Sequence, residues 1–225
     1  MNSALTNLAP DLWIATRQFT NELGVVTSRV TVIRLKDGRV LIHSPTPIEP
    51  DLRSEVENLG QPAALIAPNL FHHQFVSEWR SAFPEAKSFC VPGLPPKRSD
   101  INFDGVLDDV SPPEWRGQVD QLLIKGIPHY GEVVFFHRLS RTLIVGDLVF
   151  NYTPAQAASD PGGADGLGPH GRIRAAISDP NAVRDSIENI LRWPFDRVIV
   201  GHGEIVESDG HARFRKGFAF LTDTA

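Results

Sequence analysis

Cysteine is nearly missing from this chain: Cys90 is the only one in 225 residues. A lone thiol cannot close a disulfide within its own chain, so nothing in the composition points to an oxidising compartment. Cys90 follows the β-like run Lys87-Ser88-Phe89 and is expected to be a small core or edge residue. Excess positive charge is missing too. Lys and Arg number 22 against 27 Asp and Glu, a net charge of −5. The basic residues are scattered, with no run or stripe to neutralise phosphates, which argues against nucleic acid or any acidic polymer as partner. No apolar run approaches the ~20 residues that span a bilayer. Met1 to Pro10 lacks the basic stretch followed by an apolar one that marks a secretory signal, so the expected location is the cytoplasm.

Periodicity is absent from one long stretch. Asn151 to Ile177 carries Pro154, Pro161 and Pro169 among Gly162, Gly163, Gly166, Gly168 and Gly171. A loop of this length is a functional lid or a disordered excursion. Because it directly follows Asp147, it is expected as a flap over 151–178; a surface insertion is the alternative.

What remains is rich in pattern. The chain is 41% hydrophobic and 22% charged, ordinary values for a globular protein with a full core, and its length suits one domain over 1–225. Short Val/Ile/Leu runs predict strands at Leu12–Ala15, Val25–Leu35, Arg39–His43, Ala63–Ala67, Lys87–Val91, Gln121–Lys125, Val133–His137, Thr142–Val145 and Arg197–Val200. Lys36-Asp37-Gly38-Arg39 reads as a hairpin turn, and Arg138 to Arg141 as a second tight connection. Helices are predicted over Pro50–Leu59, over His73–Phe83 with Phe75, Val76, Trp79 and Phe83 on one face, and from Asp179-Pro180 with a Val183, Ile187, Ile190 and Leu191 stripe. A fourth helix from about Ser208 carries Phe214, Phe218 and Leu221. Strands alternating with helices mean mixed α/β layers.

The chain also echoes itself. Gly38-Arg39-Val40-Leu41-Ile42-His43-Ser44 is similar to Arg141-Thr142-Leu143-Ile144-Val145-Gly146-Asp147, and Ala63-Ala64-Leu65-Ile66-Ala67-Pro68-Asn69 to Asp196-Arg197-Val198-Ile199-Val200-Gly201-His202. Two such halves stacked face to face make a sandwich of two sheets with helices outside. The polar residues ending the four strands would then meet along one edge.

Those ends carry the candidate chemistry. His72-His73 follows the Ala64–Ala67 run, Asp147 follows Leu143-Ile144-Val145-Gly146, and His202 follows Val198-Ile199-Val200-Gly201. Stiff strands fix ligand geometry, and a neighbouring glycine lets backbones approach closely. This arrangement resembles the metallo-β-lactamase superfamily over most of the chain, which implies a four-layer αββα sandwich. Ala67-Pro68-Asn69-Leu70-Phe71-His72-His73 occupies the position of that superfamily's His-x-His-x-Asp-His motif. Val145-Gly146-Asp147-Leu148-Val149-Phe150 looks like its Asp motif, and Val200-Gly201-His202-Gly203 like its last His motif. Pro68-Asn69 with His72-His73, Glu132-Val133-Val134-Phe135-Phe136-His137 and Ser140-Arg141-Thr142-Leu143 resemble more closely a branch of domains of unknown function within it.

The departures narrow what the resemblance implies. Setting His73 on the motif's last His puts His72 on its Asp, Leu70 on its second His and Pro68 on its first; Leu and Pro cannot ligate a metal. One of the superfamily's two sites therefore looks empty, and the other implies His72, His73, Asp147 and His202 around one divalent ion. Zinc is favoured, iron or manganese suit the donors as well, and no metal at all is the alternative. A closed set of four would be structural, so catalysis asks one group, His72, to stand aside as base while Asp147 serves the reaction and the metal together. Asn69, His43, His129 and Glu132 are candidates to support the site or contact substrate. His137, His170 and His211 are expected to be solvated. The resemblance implies a small-molecule hydrolase acting on esters, lactones or thioesters. Rivals are a non-catalytic binding protein with a vestigial cleft and an iron-dependent oxidoreductase.

Overall fold

A computed structural model describes residues 4–21 and 24–222; the first three residues and last three of the 1–225 span, and with them part of the Met1 to Pro10 segment, lie outside the described residues. Seven strands form the larger sheet in chain order: β1 (Thr6–Ala9), β2 (Leu12–Asn21), β3 (Gly24–Arg34), β4 (Val40–His43), β5 (Pro62–Ala67), β6 (Lys87–Cys90) and β7 (Gly105–Val106). The second sheet runs β13 (Arg197–Ile199), β10 (Thr142–Ile144), β9 (Val133–His137), β8 (Val119–Leu123).

Alternation along each strand sends one face inward and one outward, and three apolar clusters follow. Leu41, Ala64 and Ile66 of the larger sheet meet Phe135, Ile144 and Ile199 of the smaller one, which is the sandwich interior. The outer face of the larger sheet (Val30, Val32, Val40, Ile42, Leu65) packs on Leu52 and Val56 of α1 (Pro50–Leu59) and Trp79 of α2 (Val76–Ala82). The outer face of the smaller sheet (Val134, Phe136, Leu143, Val198) packs on Val183, Ile187 and Ile190 of α6 (Pro180–Ile190) and Phe214 of α7 (Gly210–Gly217). These are the four layers of an αββα sandwich.

Local chemistry explains the boundaries. Asp179 caps α6 by accepting from the backbone N–H groups of Asn181 and Ala182, and Pro180 occupies the first turn. The Asp37-Gly38 turn joins antiparallel β3 and β4 with Gly38 at φ 83°. The second tight connection also holds, with Arg141 at φ 51° before β10 pairs antiparallel with β9.

The internal echo corresponds to repeated architecture. β4 pairs parallel with β5 after its hairpin with β3, and β10 pairs parallel with β13 after its hairpin with β9. Two expectations need correcting. The second helix starts at Val76 rather than His73, because residues 71–75 turn before the helical hydrogen bonds begin. The aperiodic segment has structure of its own: β11 (Phe150–Tyr152) pairs with β12 (Gly166–Gly168), beside α4 (Pro154–Ser159) and α5 (Gly171–Ala175), while α3 (Leu94–Lys97) and α8 (Ala219–Thr222) are short helices elsewhere in the chain. A Thr153/Gln156 capping box opens α4. No helix among the described residues is long and apolar enough to cross a membrane.

Candidate metal centre

The four echoed strand ends do meet at one rim. Ser44 follows β4, Asn69 follows β5, Asp147 follows β10 and His202 follows β13. Close approach is built in by two glycines. A Cβ on Gly146 would lie 2.7 Å from Asn69 Nδ2, and one on Gly201 would lie 2.6 Å from the Gly146 carbonyl oxygen and 2.9 Å from His72 Cε1. No side chain fits at either position without pushing the rim apart.

Glu132, at the foot of β9, shapes the floor. Its buried carboxylate accepts from the backbone N–H groups of Gly146 (2.8 Å), Asp147 (2.7 Å) and Leu148 (3.1 Å) and from Asn69 Nδ2 (3.1 Å). Burial pushes its carboxyl up, to about 7, and the neighbouring Asp147 charge adds to that, while the hydrogen bonds from Asn69, Asp147 and Gly146 pull the other way. Asn69 is the hinge between loops. Its amide nitrogen also donates to Asp147 Oδ2 at 2.9 Å, and its oxygen accepts from the N–H of Phe71 and of His72 at 2.9 and 2.8 Å, which sets the turn that presents His72.

His72 Nε2 and His202 Nε2 then face the same oxygen, Asp147 Oδ1, at 3.3 and 3.2 Å. One donor atom from each of the three residues lies within 4.8 Å of the others. The far nitrogens are held in place: His202 Nδ1 donates to the Thr27 carbonyl at 2.8 Å, and His72 Nδ1 shares a 2.6 Å hydrogen bond with Ser44 Oγ. The His72 and Asp147 side chains are 6% and 7% exposed and that of His202 is 19% exposed, so the trio opens to solvent on the His202 side. Burial opposes the charge of Asp147, but the two imidazoles outweigh it and hold the carboxyl far below the usual carboxylate range. Burial likewise opposes a charged His72, and Asp147 reverses the balance and raises it.

These donors fit a divalent ion. Ligand atoms on a tetrahedron at zinc bond lengths of about 2.0–2.1 Å sit roughly 3.3 Å apart, close to the two nitrogen–oxygen separations here. The His202 ring adds a chemical reason. With its Nδ1–H given to Thr27, a neutral imidazole turns the Nε2 lone pair toward a carboxylate oxygen 3.2 Å away. Two acceptors face each other at that range only when a proton or a cation lies between them.

The remaining candidates divide. His73, expected as a fourth ligand, does not join the trio. The turn that aims His72 at Asp147 sends the next side chain elsewhere, and Arg98 Nη1 contacts both the His73 Nδ1 and its carbonyl at 3.1 Å. Burial, then Lys97 and Arg98, push His73 down to about 4. His129 is exposed, its ring against Phe71 and Tyr130, and is not part of the cluster. His43 is buried against Phe135, neither ring nitrogen has a hydrogen-bond partner among the described residues, and burial followed by the charge of His72 pushes it down to about 3. The solvated histidines need correction: His137 and His170 are each 3% exposed, the first tied to Ser140 Oγ through Nδ1 and the second against the Phe150 ring, and His211 is half-buried against the Leu191 carbonyl. Three participants escaped the sequence reading: Ser44, Thr27 and Arg29, whose guanidinium donates to the Val200 and Gly203 carbonyls on either side of His202. Ser44 had a signal, since the echo sets it on Asp147. Arg29 had one as well, as the single charge in the run from Val25 to Ile33.

Known proteins share the family and the fold. The model of a domain of unknown function, DUF4336, matches residues 12–159. Among solved structures, DIM-1 metallo-β-lactamase aligns with a TM-score of 0.69 at 15% identity, covering 98% of this chain and 97% of that one. A metallo-β-lactamase from Pontibacter korlensis aligns at 0.67 and 17% identity, with coverages of 98% and 99%. FIM-1 from Pseudomonas aeruginosa, in its mono-zinc form, aligns at 0.67 and 11% identity, with coverages of 97% and 94%. Identities this low establish the metallo-β-lactamase fold and nothing finer. No curated protein matches by sequence.

Proposed function

Because the chain belongs to the DUF4336 family and carries the metallo-β-lactamase fold, we propose that it is a hydrolase of small esters, lactones or thioesters that works with one zinc ion held by His72, Asp147 and His202. The observation that carries this reading is the trio itself: two imidazoles, each fixed through its far nitrogen, aimed at one buried carboxylate oxygen. Three protein ligands leave a position open, the arrangement that distinguishes catalytic from structural zinc sites. A zinc ion there, when bound, lowers the pKa of water from ~15.7 toward ~7 and polarises an acyl oxygen.

The protein's own groups do the rest. Asn69 and Ser44 fix Asp147 and His72, Glu132 fixes the backbone beneath them, and the 19% exposed His202 edge faces arriving substrate. With Ser44 on one nitrogen and Asp147 on the other, His72 acts as ligand rather than as the separate base expected from the sequence. Asp147, held ionised, takes the ligand role and the acceptor role together. Cys90 is buried with its thiol pushed up to about 12 by burial, which leaves it out of the chemistry and suits a reducing, cytoplasmic setting. The net charge of −5 supports a small-molecule substrate over nucleic acid.

Elemental analysis of protein purified without chelators tests the reading. About one zinc per chain, lost in His202→Ala and Asp147→Ala together with zinc-dependent hydrolysis of a panel of esters, lactones and thioesters, is expected. Tightly held iron with visible colour would instead make it an oxidoreductase. Absence of metal after reconstitution would overturn the hydrolase and leave a binding protein.

A further inference from the structure

The side chain of Arg29 poses a question that fold stability does not answer. It is 8% exposed, and no carboxylate among the described residues hydrogen-bonds to it. Burial opposes its charge, and the one carboxylate that offsets this, the exposed Glu204, makes no hydrogen bond to it. Its two terminal nitrogens instead donate to backbone carbonyls: Nη1 to Val200 and, at 2.9 Å, Nη2 to Gly203. Those carbonyls bracket Gly201-His202, one on each side of the ligand turn.

The same strand touches His202 directly. β3 pairs with β4 only from Thr31 to Arg34, while its pairing with β2 continues to Gly24. Residues 24–30 therefore overhang the sheet with one edge unpaired by β4, and on that stretch the Thr27 carbonyl accepts from His202 Nδ1 at 2.8 Å. Strand residues two apart thus hold the ligand ring and the turn that carries it, across more than 170 residues of sequence.

We propose that Arg29 is a positioning residue for the metal centre, which clamps the Val200–Gly203 turn from the overhanging β2–β3 hairpin so that His202 keeps its Nδ1–H on Thr27 and its Nε2 toward Asp147. The metal consequence rests on the function proposed above; the ring orientation does not. A guanidinium suits the task because its planar fork reaches two carbonyls at once and stays charged at any working pH. Lysine reaches one of them, and glutamine offers a neutral donor to one.

The test compares zinc and cobalt affinity of the wild type, Arg29→Gln and Arg29→Lys by chelator competition, with unfolding temperatures measured alongside. Val183→Ala, in the outer helix layer away from the rim, serves as a control that lowers stability alone. Arg29→Gln is expected to weaken zinc by about 10- to 100-fold, the usual effect of losing support behind a ligand. Arg29→Lys is expected to fall between the two, and Val183→Ala to leave affinity unchanged. Zinc affinity within about threefold of wild type in a folded Arg29→Gln, or an equal loss in Val183→Ala, overturns the proposal. The nitrogen NMR signals of the His202 ring in metal-free protein decide it independently. The wild type should show one sharp Nδ1–H signal, held on the Thr27 carbonyl, and Arg29→Gln should broaden or lose it. If the wild type binds neither metal, the hydrolase reading fails while the ring spectrum still settles the role of Arg29; unchanged spectra in Arg29→Gln would refute it.

Discussion

Replacing Glu132 with alanine removes the acceptor for three buried backbone N–H groups, those of Gly146, Asp147 and Leu148, and for the Asn69 amide. Each buried donor left without a partner costs about 1–3 kcal/mol. Three of them sum to at least about 3 kcal/mol, and relief of the buried carboxylate's own desolvation and some entry of water keep the net near about 3–5 kcal/mol. That is a large part of the roughly 5–15 kcal/mol that holds a domain folded. For a chain of 225 residues, each kcal/mol moves the midpoint by about 2–4 °C, so Glu132→Ala should melt about 6–20 °C lower. Glu132→Gln keeps one oxygen. Pointed at the Asp147 and Leu148 donors it leaves Gly146 facing an amide NH2, a loss of about 1–3 kcal/mol. The measurement is thermal unfolding followed by circular dichroism with chelator present, so that metal binding contributes nothing to the midpoint. An alanine variant melting within about 2 °C of wild type would show that Glu132 does not build the floor of the site.

Two further outcomes separate the site from its surroundings. Zinc at about one hundred times its dissociation constant should stabilise the wild type by about 2.7 kcal/mol; this shift should disappear in His72→Ala and persist in His73→Ala, the reverse of what a four-ligand site containing His73 requires. His137 is buried, and burial pushes its imidazole down to about 4. Between the ordinary histidine pKa of about 6.5 and that value, the unfolded chain binds the proton and the native protein does not, so stability falls as pH drops through this window and levels off below it. The difference is worth about 3 kcal/mol, and His137→Gln should flatten that part of the urea-derived stability curve against pH; parallel curves would refute the burial effect.

Much of the sandwich was readable because strand alternation and helical stripes are local. The predicted Pro50–Leu59 helix and Val133–His137 strand have the observed bounds. The direction of His73 was not local. Adjacent residues in a turn leave on different bearings, and the partner that holds His73 is Arg98, on a different turn 25 positions away. A motif aligned by spacing alone credits both histidines to the metal. β11 and β12 were hidden for a different reason: Gly166 and Gly168 bring no side chain to alternate, so the ladder with Phe150–Tyr152 leaves no period in the sequence.

The echo exposes a subtler limit, and it bears on why two members of the His72, Asp147 and His202 trio follow the strands of the second half. Leu41 lies opposite Ala64, but its counterpart Ile144 lies opposite Ile199, two positions beyond the counterpart Arg197. A shift of two returns every side chain to its original face, so alternation cannot register it, yet it slides one strand by roughly 6–7 Å along the other. In the first half the Ser44 N–H donates to the Ile66 carbonyl, level with the end of β5, and Asn69 lies further on. In the second half Val145 donates to the Ile199 carbonyl, and the same step along both strands brings Asp147 level with His202. Two residues level on neighbouring parallel strands bring their side chains together, as the 3.2 Å contact between His202 and Asp147 shows. The stagger leaves Ser44 and Asn69 as hydrogen-bond partners of His72 and Asp147, and the slip in register brings the strand-end pair of the second half, but not that of the first, onto one level.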